Sequence, residues 1–168
     1  MSGVAVVGAG IVGLATAYEL LARGVPVTIY ERGVPGAGQS GGESRIFRHA
    51  HDDPRLVDLA IEARARWREW EERFGVELVA PVGTLALGPA VERRFELLRA
   101  AGVDVRMIAA EEALPILAAG AGPAMLDEDG GVIRTTAAVR ALAGALADRL
   151  VIDEVVEVRP SGEVRAGG

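Results

Sequence analysis

Apolar positions open the chain in short runs and later recur at helical spacing. Val4–Val7 is an apolar run ending at Gly8, the pattern of a buried parallel strand. From about Ile11 to Arg23 the pattern turns helical, with Leu14, Ala17, Tyr18 and Leu21 on one face, and Gly24 supplies a C-terminal stop. Val27–Tyr30 is a second β-branched run, halted at Glu31. Residues 3–31 therefore predict strand, tight turn, helix, strand.

Residues 33–44 (GVPGAGQSGGES) are rich in glycine and serine, which suits either a linker or a loop that approaches a ligand. Their place directly after a nucleotide-type unit favours the loop. The clearest helix is predicted over Pro54–Phe74, with Asp52 or Asp53 as N-cap and Pro54 at the first position. Its predicted core stripe is Leu56, Leu59, Ala60, Ala63, Trp67, Trp70 and Phe74, a packing face rather than an aromatic cage. Val76–Ala80 and Thr84–Leu87, split by Pro81 and Gly83, predict an antiparallel hairpin. A helix near Ala90–Ala101, a strand at Val103–Ile108, a short helix from Glu111 to Leu117 and a loop at 118–124 follow. Met125–Leu126 and Val132–Ile133 flank an Asp-Gly-Gly turn. Thr135 or Thr136 is placed to cap a helix over Ala137–Arg149. Val151–Arg159 and Glu163–Ala166, around a Pro-Ser-Gly turn, finish the chain. There is no internal repeat.

Composition narrows the chemistry. Half of the 168 residues are hydrophobic and a quarter are charged, which is globular and not disordered. A net charge of -6 argues against a nucleic-acid partner, which needs a basic stripe. All 18 basic residues are arginine, so no lysine of this chain acts as a base or forms a Schiff base. With no cysteine, disulfides, thiolate nucleophiles, zinc–thiolate sites and cysteinyl-flavin bonds within the chain are excluded. The N-terminus lacks a basic leader, and its glycines suit a turn better than a membrane span, so a cytoplasmic location without membrane partner is expected.

Gly8-Ala9-Gly10-Ile11-Val12-Gly13 is a G-x-G-x-x-G that follows a predicted strand and opens a predicted helix. Gly8 permits the tight turn, Gly10 lets backbone approach a pyrophosphate, and Gly13 lets helix and strand pack closely. The phosphates then lie at the helix N-terminus, where unpaired N–H groups and the dipole favour negative charge. Glu31, at the end of the second strand, is placed to accept hydrogen bonds from a ribose diol and to repel a 2′-phosphate, which favours FAD or NAD over NADP.

The opening VAVVGAGIVGLATAYELLARGVPVTIYER resembles that of the FAD-dependent amine and amino-acid oxidase family, which includes D-amino-acid oxidase, glycine oxidase and sarcosine oxidase. More specifically, SGGESRIFRHA at residues 40–50 resembles the S-x-x-G-[DE]-[ST]-R-I-x-R-H-A stretch of the branch containing monomeric sarcosine oxidase and N-methyltryptophan oxidase. The tryptophan-bearing helix, the G-T-L segment and Asp129-Gly130-Gly131-Val132-Ile133-Arg134 are also similar to that branch. The resemblance implies FAD as cofactor, held by Gly8, Ala9, Gly10, Ile11, Val12, Gly13, Glu31, Arg32, Ser40, Gly42, Ser44, Arg45 and, through its backbone, Val155. It implies Arg45 beside the flavin ring, Arg48 on the substrate carboxylate, and His49 near the flavin pocket. A guanidinium fork suits both tasks, gripping a carboxylate bidentately or supporting negative charge on a reduced ring.

The implied activity is oxidation of a C–N bond in a small amine or amino acid, with flavin as hydride acceptor and oxygen reduced to hydrogen peroxide. The implied fold is mixed α/β (α+β). It combines a Rossmann-like FAD-binding βαβ unit with its flavin loop over 1–50, part of an antiparallel-sheet substrate domain over 51–134, and an incomplete return to the FAD-binding domain over 135–168. Chains of the family are longer, and the resemblance implies that a further half or a partner chain supplies much of the ring pocket, a lysine near the flavin and a second carboxylate contact. A histidine often seen near Gly41 is absent. Two alternatives stay open: an incomplete or split-enzyme fragment without autonomous activity, and an NAD-linked dehydrogenase. His49 and His51 beside Asp52 and Asp53 invite a metal reading, but the chain has no further histidine, and a polar turn with no metal is expected.

Overall fold

The computed structural model describes residues 3–114, 116 and 122–167. Its elements run β1 (Val4–Val7), α1 (Ile11–Ala22), β2 (Val27–Glu31), β3 (Ser44–Phe47), α2 (Pro54–Phe74), β4 (Val79–Ala80) and β5 (Thr84–Ala86). They continue with α3 (Val91–Ala100), β6 (Val105–Ala109), α4 (Ala110–Ala113), β7 (Pro123–Asp127) and β8 (Gly131–Arg134). The last are α5 (Thr135–Ala145), β9 (Leu150–Ile152), β10 (Val155–Val158) and β11 (Val164–Ala166). The predicted helix end at Leu117, and the loop residues up to 121, lie outside the described residues. The chain forms two compact units, Met1–Glu43 with Thr135–Gly168, and Ser44–Arg134.

The first unit is built on a parallel sheet of order β1-β2-β9. Val4 pairs with Val27 and Val7 with Tyr30, while Ile29 pairs with Leu150 and Glu31 with Ile152. Parallel pairing of β1 and β2 requires a crossover, and α1 is that crossover. The core joins Leu14 and Ala17 of α1 to Val27 and Ile29 of β2 and to Ala138, Leu142 and Leu146 at α5. β10 and β11 form an antiparallel hairpin. The predicted buried first strand is corrected: Val4 and Val7 are 39% and 57% exposed. β1 is an edge strand, and among the described residues nothing pairs with its other side. The predicted threonine cap is also corrected. Thr135 and Thr136 lie inside α5, and the Thr135 hydroxyl donates to the Gly42 carbonyl at 2.5 Å. The single final strand expected from Val151 is two strands, broken at Asp153-Glu154.

The second unit carries two antiparallel sheets, of order β3-β8-β4 and β5-β7-β6. Its core gathers Ala50, Val57, Val91, Leu98, Val103, Val105 and Met125. α2 begins where the sequence predicts it. The Asp53 carboxylate accepts from Arg55 N, Pro54 needs no N–H partner, and Gly75 closes the helix in the left-handed region at φ 63°. Its buried face is Val57, Ala60, Arg64 and Trp70, so the expected stripe is out of phase at its N-terminal end. Leu56 and Leu59 are 45% and 57% exposed, and Arg64 rather than Ala63 faces inward. The predicted hairpin of β4 with β5 is not formed. β4 pairs with β8 and β5 with β7, and the intervening Pro81–Gly83 carries the chain from one sheet to the other. β3, which periodicity did not reveal, pairs with β8 from Ser44↔Arg134 to Phe47↔Gly131. The whole is a mixed α/β (α+β) fold.

Candidate cofactor and substrate sites

The glycine-rich turn is set by its backbone. Gly8 has φ +99°, a conformation side chains disfavour, and its N–H donates to the Tyr30 carbonyl at 2.8 Å. A Cβ on Gly13 would lie 2.0 Å from the Gly8 carbonyl oxygen, so only glycine lets α1 rest on the turn. Gly10 precedes the helix in extended conformation, and a Cβ there would lie 3.1 Å from the Ser40 hydroxyl. That hydroxyl accepts from Ile11 N at 2.8 Å. The first turn of α1 carries no acidic side chain, so its positive end is uncompensated, and Val12 on it is 77% exposed.

Glu31 spans the turn. Oε2 accepts from Ala9 N at 2.8 Å and Oε1 from Gly33 N at 3.0 Å. Each oxygen keeps a lone pair, so the carboxylate can accept two hydroxyl groups while staying fixed. It borders a cavity of about 280 Å³ lined also by Gly8, Tyr30, Arg32, Glu154 and Val155. The structure thus brings Gly8, Glu31, Arg32 and Val155 to one hollow, although Val155 is far from the others in sequence. Arg32 lies 3.9 Å from the Glu154 carboxylate, with both side chains exposed, a pairing that contributes little stability. Gly42, at φ +99°, is tied through its carbonyl to Thr135 at the start of α5.

Ser44, Arg45, Arg48 and His49 belong to the second unit, on or just after β3. Arg45 is exposed, and its Nη1 donates to the Ser44 carbonyl at 2.7 Å. Arg48 is exposed and forms no ion pair among the described residues. The acids that follow it are taken by other arginines. Asp52 is bound by Arg93 at 2.7 Å and by Arg94 at 2.9 and 2.8 Å, which hold its carboxyl well below the usual carboxylate range. Asp53 is held by Arg55. Among the described residues, therefore, neither Asp52 nor Asp53 pairs with Arg48. His51 titrates below the ordinary histidine range, through burial first and then the charges of Arg48 and Arg94.

His49 is buried. Its Nδ1 lies 3.0 Å from Asp127 Oδ2, and its backbone N–H donates to the same oxygen at 3.1 Å. Burial pushes the Asp127 carboxyl up, but hydrogen bonds from His49 and from Gly130 N outweigh it and hold the group below its usual value. Neither histidine faces a ring of acids: among the described residues no group of three or more His, Cys, Asp or Glu is disposed to hold a metal.

Sequence reasoning missed the polar framework under β3. The Arg64 guanidinium sits 5.9 Å over the Phe47 ring, donates through Nε to the Asp129 carbonyl at 3.2 Å and carboxylate at 3.1 Å, and approaches Glu71 at 3.6 Å. Glu71 Oε1 in turn accepts from Leu78 N and Val79 N, both at 2.8 Å, fixing the entry to β4. The one available signal was Arg64 at the helical spacing of the α2 core stripe.

The sequence profile of the family described as "FAD dependent oxidoreductase" matches residues 3–166. The chain is 30% identical to peroxisomal sarcosine oxidase of Mus musculus over 172 residues, which cover 92% of this chain and 43% of that one. Monomeric sarcosine oxidase of Bacillus sp. (strain B-0618) is 35% identical over 95 residues, 55% of this chain and 24% of that one. Among solved structures, L-proline dehydrogenase from P. horikoshii superposes with a TM-score of 0.82 at 25% identity, covering 97% of this chain and 47% of that one. Glycine oxidase from Geobacillus kaustophilus gives 0.74 at 29%, covering 93% and 48%. The chain thus spans less than half the length of each of these relatives. No helix among the described residues is long and apolar enough to cross a membrane. The glycine turn, the anchored Glu31 and the family match over nearly every residue lead to one conclusion: the chain belongs to the FAD-dependent oxidoreductase family of D-amino-acid, glycine and sarcosine oxidases.

Proposed function

We propose that this chain contributes the FAD-binding unit and part of the substrate-binding unit of an oxidase acting on the C–N bond of a small amine or amino acid. The carrying observation is the hollow where Glu31, anchored by Ala9 N and Gly33 N, keeps acceptor capacity beside the Gly8 turn. That hollow fits the adenosine end of FAD. Glu31 would take the ribose hydroxyls, Arg32 and the Val155 backbone would border the adenine end, and the turn from Gly8 through Ala9, Gly10, Ile11 and Val12 to Gly13 would face the pyrophosphate. Ser40, Gly42 and Ser44 would follow the cofactor toward the flavin. When bound, FAD supplies the redox chemistry by accepting a hydride equivalent from the carbon next to nitrogen.

The protein's share is binding and orientation. Arg48 would hold the substrate carboxylate, its free fork fixing how the neighbouring C–N bond is presented. Arg45 would place positive charge beside the flavin, and His49 would lie near that pocket. Oxygen is the proposed final acceptor, the location cytoplasmic, and the rest of the pocket is assigned to polypeptide equivalent to the part of the relatives that this chain does not span.

The visible spectrum of the purified chain, before and after incubation with FAD, tests the cofactor assignment. A retained flavin band is expected, and a folded chain that takes up none would count against it. In a flavin-loaded protein that includes that further polypeptide, Arg48→Met should lower turnover of carboxylate-bearing amines by roughly a hundredfold, the scale of a lost charge-assisted contact, with FAD still bound. Unchanged turnover would remove Arg48 from the substrate site.

A further inference from the structure

Arg48 has a free side chain on a backbone pinned on both sides. On one side Phe47 is buried, pairs in register with Gly131 and lies under the Arg64 guanidinium. On the other, His49 is buried and grips one carboxylate oxygen twice, through its backbone N–H and through Nδ1. The rings of Phe47 and His49 meet edge to face at 5.1 Å and 87°. The carboxylate belongs to Asp127, which is 1% exposed and whose other oxygen accepts from Gly130 N at 3.0 Å. One buried acid thus ties the residue after Arg48 to the turn between β7 and β8, a link spanning 78 positions of sequence.

We propose that Asp127 is a positioning residue for Arg48: acting through His49, it fixes the backbone from which the carboxylate-binding guanidinium is presented. The inference rests on the substrate role given to Arg48 above. Its physical basis is preorganisation. An exposed arginine loses side-chain freedom when it grips an anion, and a wandering backbone adds to that cost. The usual way to hold an arginine, an ion pair of its own, would quench the charge meant for a ligand. Here the neighbours are held and the guanidinium is left open, and among the described residues no carboxylate pairs with it. Asp127 suits the task because it is buried and acts only as an acceptor, with three donors aimed at it.

The test is a titration of the isotope-labelled chain with propionate, followed at the Arg48 Nε–H resonance, which is assigned by its loss in Arg48→Met. Propionamide serves as the uncharged control. The wild-type resonance should shift saturably with propionate and not with propionamide. Asp127→Asn should weaken propionate binding about fivefold, the scale of lost preorganisation at one side chain. His49→Phe keeps the edge-to-face shape but removes Nδ1, while the backbone N–H can still reach Asp127. It should act in the same direction with a smaller effect, and it decides the matter if Asp127→Asn does not fold. Melting temperatures are read in parallel. A variant that melts earlier yet binds propionate as the wild type does would make Asp127 merely structural and overturn the proposal. A wild-type resonance that does not respond would instead overturn the Arg48 assignment itself, and the proposal with it.

Discussion

The glycine turn of the first unit and the framework under β3 in the second use polar side chains differently. Around the turn, side chains serve the backbone: Glu31 anchors Ala9 N and Gly33 N, Ser40 anchors Ile11 N, and Thr135 anchors the Gly42 carbonyl. Under β3, Glu71 and Asp127 also hold backbone N–H groups, but charged side chains pair with each other as well: Arg64 and Arg68 with Asp129, His49 with Asp127, and nearby Asp52 with Arg93 and Arg94. A surface made of backbone groups meets features common to any dinucleotide, whereas placed side-chain charges can distinguish one small substrate from another. Tolerance to substitution should differ accordingly: Gly13 is critical in the first unit, whereas in the second the buried charges are critical together with Gly131, where a Cβ would lie 2.0 Å from the Ala80 carbonyl oxygen.

The largest expected effect is at Gly13. With the Gly8 carbonyl oxygen 2.0 Å from a new Cβ, Gly13→Val must lift α1 off the turn that β1 leads into. Overpacking of this kind costs about 3 kcal/mol, with more for a clash against backbone. A large fall in melting temperature and complete loss of flavin uptake are expected. Gly10→Ala sharpens the contrast, because its Cβ meets only the Ser40 hydroxyl at 3.1 Å, so the fold should survive. Equal melting temperatures for Gly13→Val and the wild type would refute the backbone account of the first unit.

In the second unit the counterpart is Arg64→Met. It retains apolar cover for Phe47 but leaves Glu71 without its arginine and Asp129 with Arg68 alone. Removing one partner of a buried pair costs roughly 3–5 kcal/mol, and the partial exposure of Asp129 and Glu71 places this case near or below the lower end. Urea denaturation measures it. A loss under about 0.5 kcal/mol, the range of ordinary surface substitutions, would show that the network does not hold β4 and the turn at Asp129 in place.

What could be read in the sequence follows the same division. The strand–turn–helix–strand of residues 3–31 is local: three glycines, an apolar face and a terminal acid specify it within one short stretch. α2 was legible from Asp53-Pro54 to Gly75 because caps are local too. β3 was not, since four residues beside a glycine-rich loop become a strand only by pairing with β8, far along the chain. The β4–β5 hairpin failed for a related reason: Pro81 and Gly83 signal a turn but not which strands the flanks will join. Asp127 carries no sequence signature, because its meaning is the histidine 78 positions away. The inward phase of α2 was misjudged because a buried arginine reads as a surface residue until Asp129 and Glu71 stand opposite it.

The smallest expected effect probes the charge that the second unit leaves open. His51 titrates below the ordinary histidine range because burial disfavours its charged form and Arg48 and Arg94 repel it. His49 adds in the same direction, while Asp52 opposes. A depressed histidine binds fewer protons folded than unfolded, so it favours no acid-side stability. The unit should become less stable as pH falls through the ordinary histidine range near 6.5. Arg48→Met removes one of the repelling charges, so the imidazole midpoint of His51, followed by proton NMR, should move up toward that range and the acid-side loss should shrink. Propionate bound at Arg48 of the wild type should move it the same way, since an anion there cancels the same charge. A midpoint unmoved by both treatments would mean that the Arg48 guanidinium does not stand near His51. The open cation would then have to be sought elsewhere on the turn.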